Sequence, residues 1–364
     1  MHATAFLHDE LTLWHGGGEY ALTMPVGGLV KPGGGLPESP ESKRRLVNLL
    51  RVTGLMEALA LQSAPPAPRE DLLRVHPAAY LDRFKALSDA GGGELGPRAP
   101  FLKGGYEIAA LSAGLATEAL RQVLRGQVRR AYALSRPPGH HALPDLPNGF
   151  CLLANIAVAI RAVRAGGLAR RIAVVDWDVH HGNGTEAIFL DDPDCLTISL
   201  HQERNYPLDT GGADVRGARG SNLNIPLPPG TGHASYLEAF ERIVLPALRR
   251  FEPEAIVIAC GYDASAMDPL GRMMLGAESF GAMTALLVEA AEQLCQGRLV
   301  AVHEGGYSEA HVPFCGHAVV AGLAGSPIAA PDPLGATIRA RQPAPLWINH
   351  LSAYLRDLAQ TFEV

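Results

Sequence analysis

Five short apolar runs constrain this chain more than any other feature: AYALS (131–135), RIAVVDWD (171–178), CLTISL (195–200), EAIVIAC (254–260) and RLVAVH (298–303). Each is too short for a typical helix, and longer segments of helical period separate them, which is the pattern of a parallel sheet covered on both faces. The helical segments are SPESKRRLVNLLRVTGLMEAL (39–59), YEIAALSAGLATEALRQVLRG (106–126), CLLANIAVAIRAVRAGG (151–167), ASYLEAFERIVLPALRRF (234–251) and ESFGAMTALLVEAAEQLC (278–295). Ser39 is placed to cap the first, with Pro40 in its first turn, and Gly126 and Gly166 are natural C-terminal stops. No internal repeat or low-complexity linker interrupts the chain. The expectation is one α/β domain over 1–364.

The 364 residues could divide into two domains at ~150 residues each, so the unbroken alternation is what argues for one. Forty Gly and 28 Pro require many turns and shaped loops. Thirty-one Lys and Arg against 37 Asp and Glu give a net charge of −6, which attracts neither nucleic acid nor an anionic membrane. No apolar run approaches the ~20 residues of a membrane span, and MHATAFLHDE lacks the basic and apolar parts of a signal peptide, so a cytoplasmic protein is expected. The five cysteines, Cys151, Cys195, Cys260, Cys295 and Cys315, are odd in number and contain no CxxC pair. They read as small buried residues, not as a disulfide framework or a zinc site. The GGG clusters at 16–18, 33–35 and 91–93 form neither GxGxxG nor GxxxxGK[ST], and are expected in loops.

The unusual polar residues collect in four places. RPPGHHA (136–142), DWDVHHGNG (176–184), GYDASAMDP (261–269) and HEGGYS (303–308) all lie at the carboxyl ends of predicted strands, where open α/β sheets bind ligands. If the strand stays extended through DWDVH, then Asp176, Asp178 and His180 project from one face and Trp177 and Val179 from the other. Two carboxylates and an imidazole there are costly to bury without a cation. An ordinary hydrogen-bond network at a strand end would use the same residues. Asp268 could supply a third ligand, and three O/N ligands with an open position suit catalytic Zn²⁺, with Fe²⁺ or Co²⁺ as alternatives. His140 and His141, in a turn fixed by Pro137, Pro138 and Gly139, read as acid/base groups. Asp176 offers one of them a charged acceptor and Asn183 offers the other a neutral one, so the two should differ in basicity and in role. Tyr307, behind Gly305 and Gly306, is placed to donate to an oxyanion.

These motifs, with GFC (149–151), ISLH (198–201), NIPLPPG (224–230) and EGGY (304–307), resemble the arginase/histone-deacetylase superfamily. More specifically, they resemble the bacterial histone deacetylase-like amidohydrolases near the class II deacetylases. The likeness runs from SPESKRRL through HPAAYL (76–81) to PFCGHAV (313–319). It implies a single three-layer α/β domain with an eight-stranded parallel sheet, a motif-bearing core at about 39–320 and a C-terminal segment, 321–364, packed on it. It further implies zinc ligands Asp178, His180 and Asp268, a His140–Asp176 pair, His141 facing Asn183 as general base and acid, and Tyr307 as the carbonyl-polarising residue. Phe150 and Tyr206 would wall an acyl-lysine channel, with Gly149 and Gly305 at the substrate; relatives usually carry Phe in the place of Tyr206. Potassium would bind through Asp176, Asp178, His180, Ser199 and Leu200, and at a second site through Phe189, Asp192, Cys195 and Ser221. Glu186, where relatives commonly carry Gln, is expected to be a solvent-side variation.

The expected reaction is hydrolysis of an N-acyl amine, most simply N-ε-acetyl-lysine in a peptide or protein, or of a related small acylated amine, to a carboxylate and a free amine. An acetylpolyamine amidohydrolase would share every one of these residues and differ at the rim, where it needs an acidic gate or a narrowed entrance; the loops around 14–38 and 88–105 offer Glu19, Glu38, Asp89 and Glu94 there, in no arrangement visible from the sequence. An arginase-type two-manganese site lacks its second aspartate-rich cluster here. A catalytically silent acyl-lysine binding module is the alternative of a different class. Self-association into a homo-oligomer is a further implication of the likeness.

Overall fold

In a computed structural model that describes residues 4–25 and 35–364, eight strands form one sheet. They are β1 (Thr4–Leu7), β2 (Ala60–Gln62), β3 (Arg130–Ala133), β4 (Ile172–Asp176), β5 (Cys195–Gln202), β6 (Asn222–Leu227), β7 (Ala255–Cys260) and β8 (Leu299–His303). Their order is β6-β5-β4-β7-β8-β3-β1-β2, and every neighbouring pair is parallel. Alternate residues feed two separate cores: Ile256 and Ile258 of β7 enter one apolar cluster, while Ala255, Val257 and Ala259 enter the other. Burial on both faces explains the uninterrupted apolar runs.

The helices on the first side are α1 (Pro40–Val52), α6 (His233–Ala239), α7 (Leu245–Phe251), α8 (Ala277–Cys295), α9 (Val312–Ala324) and α10 (Pro345–Phe362); a π-helical turn, Phe240–Val244, joins α6 to α7. On the other side lie α3 (Gly105–Leu124) and α4 (Asn155–Ala165). Two further helices are α2 (Ala78–Ala90) and α5 (Asn183–Phe189). The result is a three-layer α/β fold. Ser39 caps α1 by accepting from the Glu41 N–H at 3.1 Å, and Gly126, with φ +69°, follows the last turn of α3. At the end of α4 it is Gly167, with φ +67°, that takes the left-handed conformation, while Gly166 remains at −80°.

Three strands lie outside the apolar runs of the sequence. β1 and β2 are only four and three residues long. β6, NLNIPL, carries Asn222, Asn224 and Pro226 because it is an edge strand, where a missing N–H is tolerated. Gly92–Glu94 pairs with Pro100–Leu102 as a short antiparallel hairpin, not as the loop expected at 91–93; residues 33 and 34 of the second glycine cluster lie outside the described residues. The C-terminal helix α10 inserts Leu355, Leu358 and Phe362 into the first core, and Tyr354 Oη donates to the Pro226 carbonyl at 2.7 Å. All five cysteines are free and buried. No helix among the described residues is long and apolar enough to cross a membrane.

Candidate active site

The four polar motifs follow β3, β4, β7 and β8, which are neighbours at the centre of the sheet. β4 stops at Asp176 and does not continue extended to His180. The reason is local: the Asp178 N–H donates to Asp176 Oδ1 at 3.0 Å, and the His180 N–H to Asp178 Oδ1 at 2.9 Å. Each aspartate thus bonds the backbone two residues on and turns the chain. Trp177 and Val179 still enter the first core.

Asp178, His180 and Asp263 bring one donor atom each to within 4.8 Å of one another, all buried. Asp263 is the residue that sequence reasoning missed, although it stands inside the quoted GYDASAMDP motif. Its Oδ1 accepts from the Val179 N–H at 2.7 Å and its Oδ2 lies 3.1 Å from His180 Nδ1. Asp268 lies outside that trio. Its two oxygens accept the N–H groups of Tyr307 (2.7 Å) and Leu270 (2.9 Å). Burial and the Asp178 charge push Asp263 up to about 6, and burial with the Asp263 charge pushes Asp268 up to about 7. Burial opposes a proton on His180, but Asp263 and Asp178 outweigh it and raise the imidazole to about 10. Three buried carboxylates around one imidazole carry more negative charge than the protein compensates, and this donor set fits a divalent cation. Gly305 makes the crowding possible: its N–H donates to Asp178 Oδ2 at 2.8 Å, and a Cβ there would stand 2.2 Å from Asp263 Oδ2.

The two tandem histidines lie with ring centroids 3.9 Å apart and planes tilted by 41° but have opposite support. His140 Nδ1 is 3.0 Å from Asp176 Oδ2, and His141 Nδ1 is 2.8 Å from Asn183 Oδ1. Burial disfavours charge on His140, yet Asp178 and Asp176 raise it to about 10. On His141, burial and the neighbouring His140 and His180 act together and hold it well below the ordinary imidazole value. Glu304, quoted in HEGGYS but given no role, fixes this turn: its Oε2 accepts the N–H groups of Gly139 (2.7 Å) and His140 (3.0 Å).

A cavity of about 110 Å³ opens onto His141, His180 and Tyr307, with Gly149, Phe150 and Tyr206 in its walls. Tyr307 lies edge-on to Phe150, centroids 5.7 Å apart, and burial raises its phenol well above its ordinary value, so it is a proton donor. Gly149, with φ +50°, is required because a Cβ would meet His141 at 2.5 Å and Tyr206 at 2.8 Å. Tyr206 stands edge-on to His141 at 5.1 Å and donates its hydroxyl to Asn148 Oδ1.

None of the four carboxylates that the rim loops offer lines this cavity. Glu38 is buried between Lys43 (2.8 Å) and Arg136 (3.1 Å), Asp89 pairs with Lys85, and neither Glu19 nor Glu94 lines the channel. Glu38 was misplaced because a buried ion pair and a solvated rim residue look alike in sequence. Glu186 also departs from expectation: it turns inward, where its Oε2 accepts from Asn222 (2.8 Å) and Asn224 (2.6 Å) and lies 3.2 Å from His181.

Of the residues considered for potassium, Ser199 Oγ lies 2.9 Å from His201 Nδ1, and Leu200 is fully buried beside it. Asp192 already accepts from Arg161 (2.9 Å) and Arg164 (2.6 Å), whose guanidiniums lie over Phe189. The Cys195 N–H donates to the Asp192 carbonyl at 3.1 Å, and Ser221 Oγ is buried without a partner.

A Ser–His–Asp array supports the loop carrying Asp268. Ser265 Oγ is 2.6 Å from His311 Nδ1, and His311 Nε2 is 2.9 Å from Asp332 Oδ2. Ser265 in turn takes the Met267 N–H on its hydroxyl and the Asp268 N–H on its carbonyl.

A three-layer parallel α/β fold with tandem histidines facing carboxylates at the end of a channel defines the arginase/deacetylase class of hydrolases. The histone deacetylase domain profile matches residues 36–323, and the chain belongs to that family. It is 58% identical over 364 residues to the histone deacetylase-like amidohydrolase of Pseudomonas aeruginosa, covering 99% of this chain and 96% of that protein. It is 38% identical over 303 residues to a probable deacetylase of Archaeoglobus fulgidus, covering 81% of this chain and 84% of that one. The crystal structure of the HDA15 HD domain superposes with a TM-score of 0.81 at 29% identity, covering 100% of this chain and 98% of that one. The chain is therefore a hydrolase of the deacetylase kind, acting on amides.

Proposed function

We propose that the enzyme hydrolyses N-ε-acyl-lysine, in first place acetyl-lysine, to a carboxylate and the free amine, and works as one domain over the whole chain. The carrying observation is the pair of adjacent histidines with unlike acceptors, Asp176 and Asn183, beside a buried carboxylate–histidine cluster.

Asp178, His180 and Asp268 would hold one divalent ion, zinc in first place. Asp268 is preferred to Asp263 because its oxygens accept only from the backbone N–H groups of Leu270 and Tyr307, whereas Asp263 is fully buried with an oxygen on His180 Nδ1 and orients that imidazole. Such an ion supplies Lewis acidity to an amide carbonyl and to water.

The protein groups divide the remaining work. His141, neutral and with Nδ1 engaged by Asn183, offers Nε2 as the base that takes the proton of the attacking water. His140, held as a cation by its carboxylates, cannot serve as that base and contributes positive field. Tyr307 donates to the carbonyl oxygen as it becomes negative. Protonated His141 then returns its proton to the departing amine. Potassium near Asp176, Asp178, His180, Ser199 and Leu200 would steady the same turn. At the second set, Arg161 and Arg164 already meet the Asp192 charge.

The test is acetate release from an acetyl-lysine peptide by the zinc-loaded enzyme and its His141→Ala variant. Release by the first and loss of about 10²–10⁴ in the second are expected. Equal rates would remove the assignment of the base.

A further inference from the structure

The channel mouth carries a fixed cation that no role above absorbs. Arg98 lies in the loop between the two strands of the 92–102 hairpin, and that loop is pinned to the channel wall by its backbone. The Gly149 N–H donates to the Pro97 carbonyl at 3.1 Å, and the Phe150 N–H to the Arg98 carbonyl at 2.8 Å. The Arg98 guanidinium carbon lies 4.9 Å from the centroid of the Tyr206 ring, a cation–π distance. Tyr206 is itself anchored through Asn148. The cation is thus held against one wall of the channel and is otherwise exposed to solvent.

Among the described residues, no carboxylate lines the channel beside it; those around the opening include Thr23, Arg98, Asn205 and Leu270. Residues 26–34, outside the described residues, contain one Lys and neither Asp nor Glu.

We propose that Arg98 makes the enzyme selective for acylated amines that carry a carboxylate just outside the channel, and selective against N-acylated polyamines. This rests on the acyl-amine reading of the site above. A substrate carboxylate can meet the guanidinium through paired N–H donors. The protruding ammonium of an acetylpolyamine would face a like charge, with no carboxylate among the described lining residues. Two unit charges a few ångströms apart at a half-exposed site alter affinity by about tenfold, and salt screens the effect over about 10 Å at 0.1 M. The carboxylate has two possible sources: an Asp or Glu flanking acyl-lysine in a peptide, or the free α-carboxylate of acyl-lysine itself.

The experiment measures kcat/KM of the zinc-loaded enzyme at low salt. The substrates are acetyl-lysine peptides flanked by Asp, Ser or Lys, N-ε-acetyl-lysine and its α-amide, and acetylputrescine. Asp-flanked peptides are expected to exceed Lys-flanked ones by about tenfold, and acetylputrescine to be the poorest substrate. A preference for free acetyl-lysine over its amide, without a flank effect, assigns the small amino acid as the source; the reverse assigns the acidic peptide. R98E is expected to invert the Asp/Lys ratio and R98K to keep its sign. The wild-type ratio is expected to fall toward unity at 1 M salt, a readout that needs no variant. Ratios near unity at low salt for both the Asp/Lys flank pair and the acetyl-lysine acid/amide pair, or ratios indifferent to R98E and to salt, overturn the inference while leaving the acyl-amine reading intact. No turnover of any acylated amine overturns both.

Discussion

At the scale of single residues, the account rests on which side chain holds a proton. The proposed base is His141, which burial and two positive neighbours lower and whose acceptor, Asn183, is neutral. Asn183→Asp would place a carboxylate on Nδ1 and raise His141. A base works only when deprotonated, so the acid limb of the kcat/KM profile should move to higher pH in N183D; an unmoved limb would deny His141 that role. Tyr307→Phe removes the oxyanion donor and should lower kcat by about 10²–10³ with smaller effect on KM. Asp178→Asn and Asp268→Asn should abolish stoichiometric zinc, measured on the purified protein. Asp263→Asn, which leaves both ligands but loosens His180, should weaken zinc by about 10–100-fold. Full zinc in D268N together with none in D263N would exchange the two assignments.

At the scale of elements, the site depends on how strand ends and loops are braced. The motifs after β3, β4, β7 and β8 were legible because Pro, Gly, His and Asp concentrate where apolar runs stop, and the neighbouring order of those strands then follows from the sheet. Their bracing was not legible, since each brace joins distant positions. Glu304 holds the His140 turn across 164 residues of sequence, and Asp263 reaches back 83 residues to His180. The Ser265–His311–Asp332 array ties the Asp268 loop to a segment beyond the family-matched region, which ends at 323. Asp332→Asn should therefore lower zinc affinity by about tenfold or more through the loop, although it touches neither metal ligand nor substrate. Unchanged zinc affinity in both D332N and H311A would reduce that array to local packing. The weak strands β1, β2 and β6 stayed hidden for a different reason: short or edge strands need no continuous apolar run.

At the scale of the whole molecule, buried titratable groups shape its response to acid, Glu38 and His76 among them. Burial alone would raise Glu38, but Arg136 and Lys43 outweigh it and bring it down from an ordinary 4.5 to about 2. The stability it contributes is complete above 4.5 and is lost as pH falls toward 2. Removing the charge in E38Q leaves Lys43 and Arg136 buried without it, a loss of about 3–5 kcal/mol. His76, from HPAAYL, receives the Ala154 N–H on Nε2 at 3.0 Å and has Nδ1 2.7 Å from the Pro144 carbonyl. Burial lowers it to about 4, only partly offset by that carbonyl. The unfolded chain then binds the proton more readily, so stability also declines as pH falls from 6.5 toward 4. Urea unfolding at stepped pH should show both declines, with the lower one absent in E38Q; a pH-independent midpoint between 2 and 6.5 would contradict both.

The central claim is that this chain is an amide hydrolase whose carboxylate–histidine cluster needs one divalent ion. Acetate release from an acetyl-lysine peptide, measured on chelator-stripped enzyme titrated with zinc, tests it most directly. The account predicts no release before addition and a rise that saturates at one zinc per chain, with the Tyr307→Phe enzyme binding the same zinc but turning over about 10²–10³ more slowly. Full activity without a divalent ion, or one bound zinc with no acetate released, would contradict it.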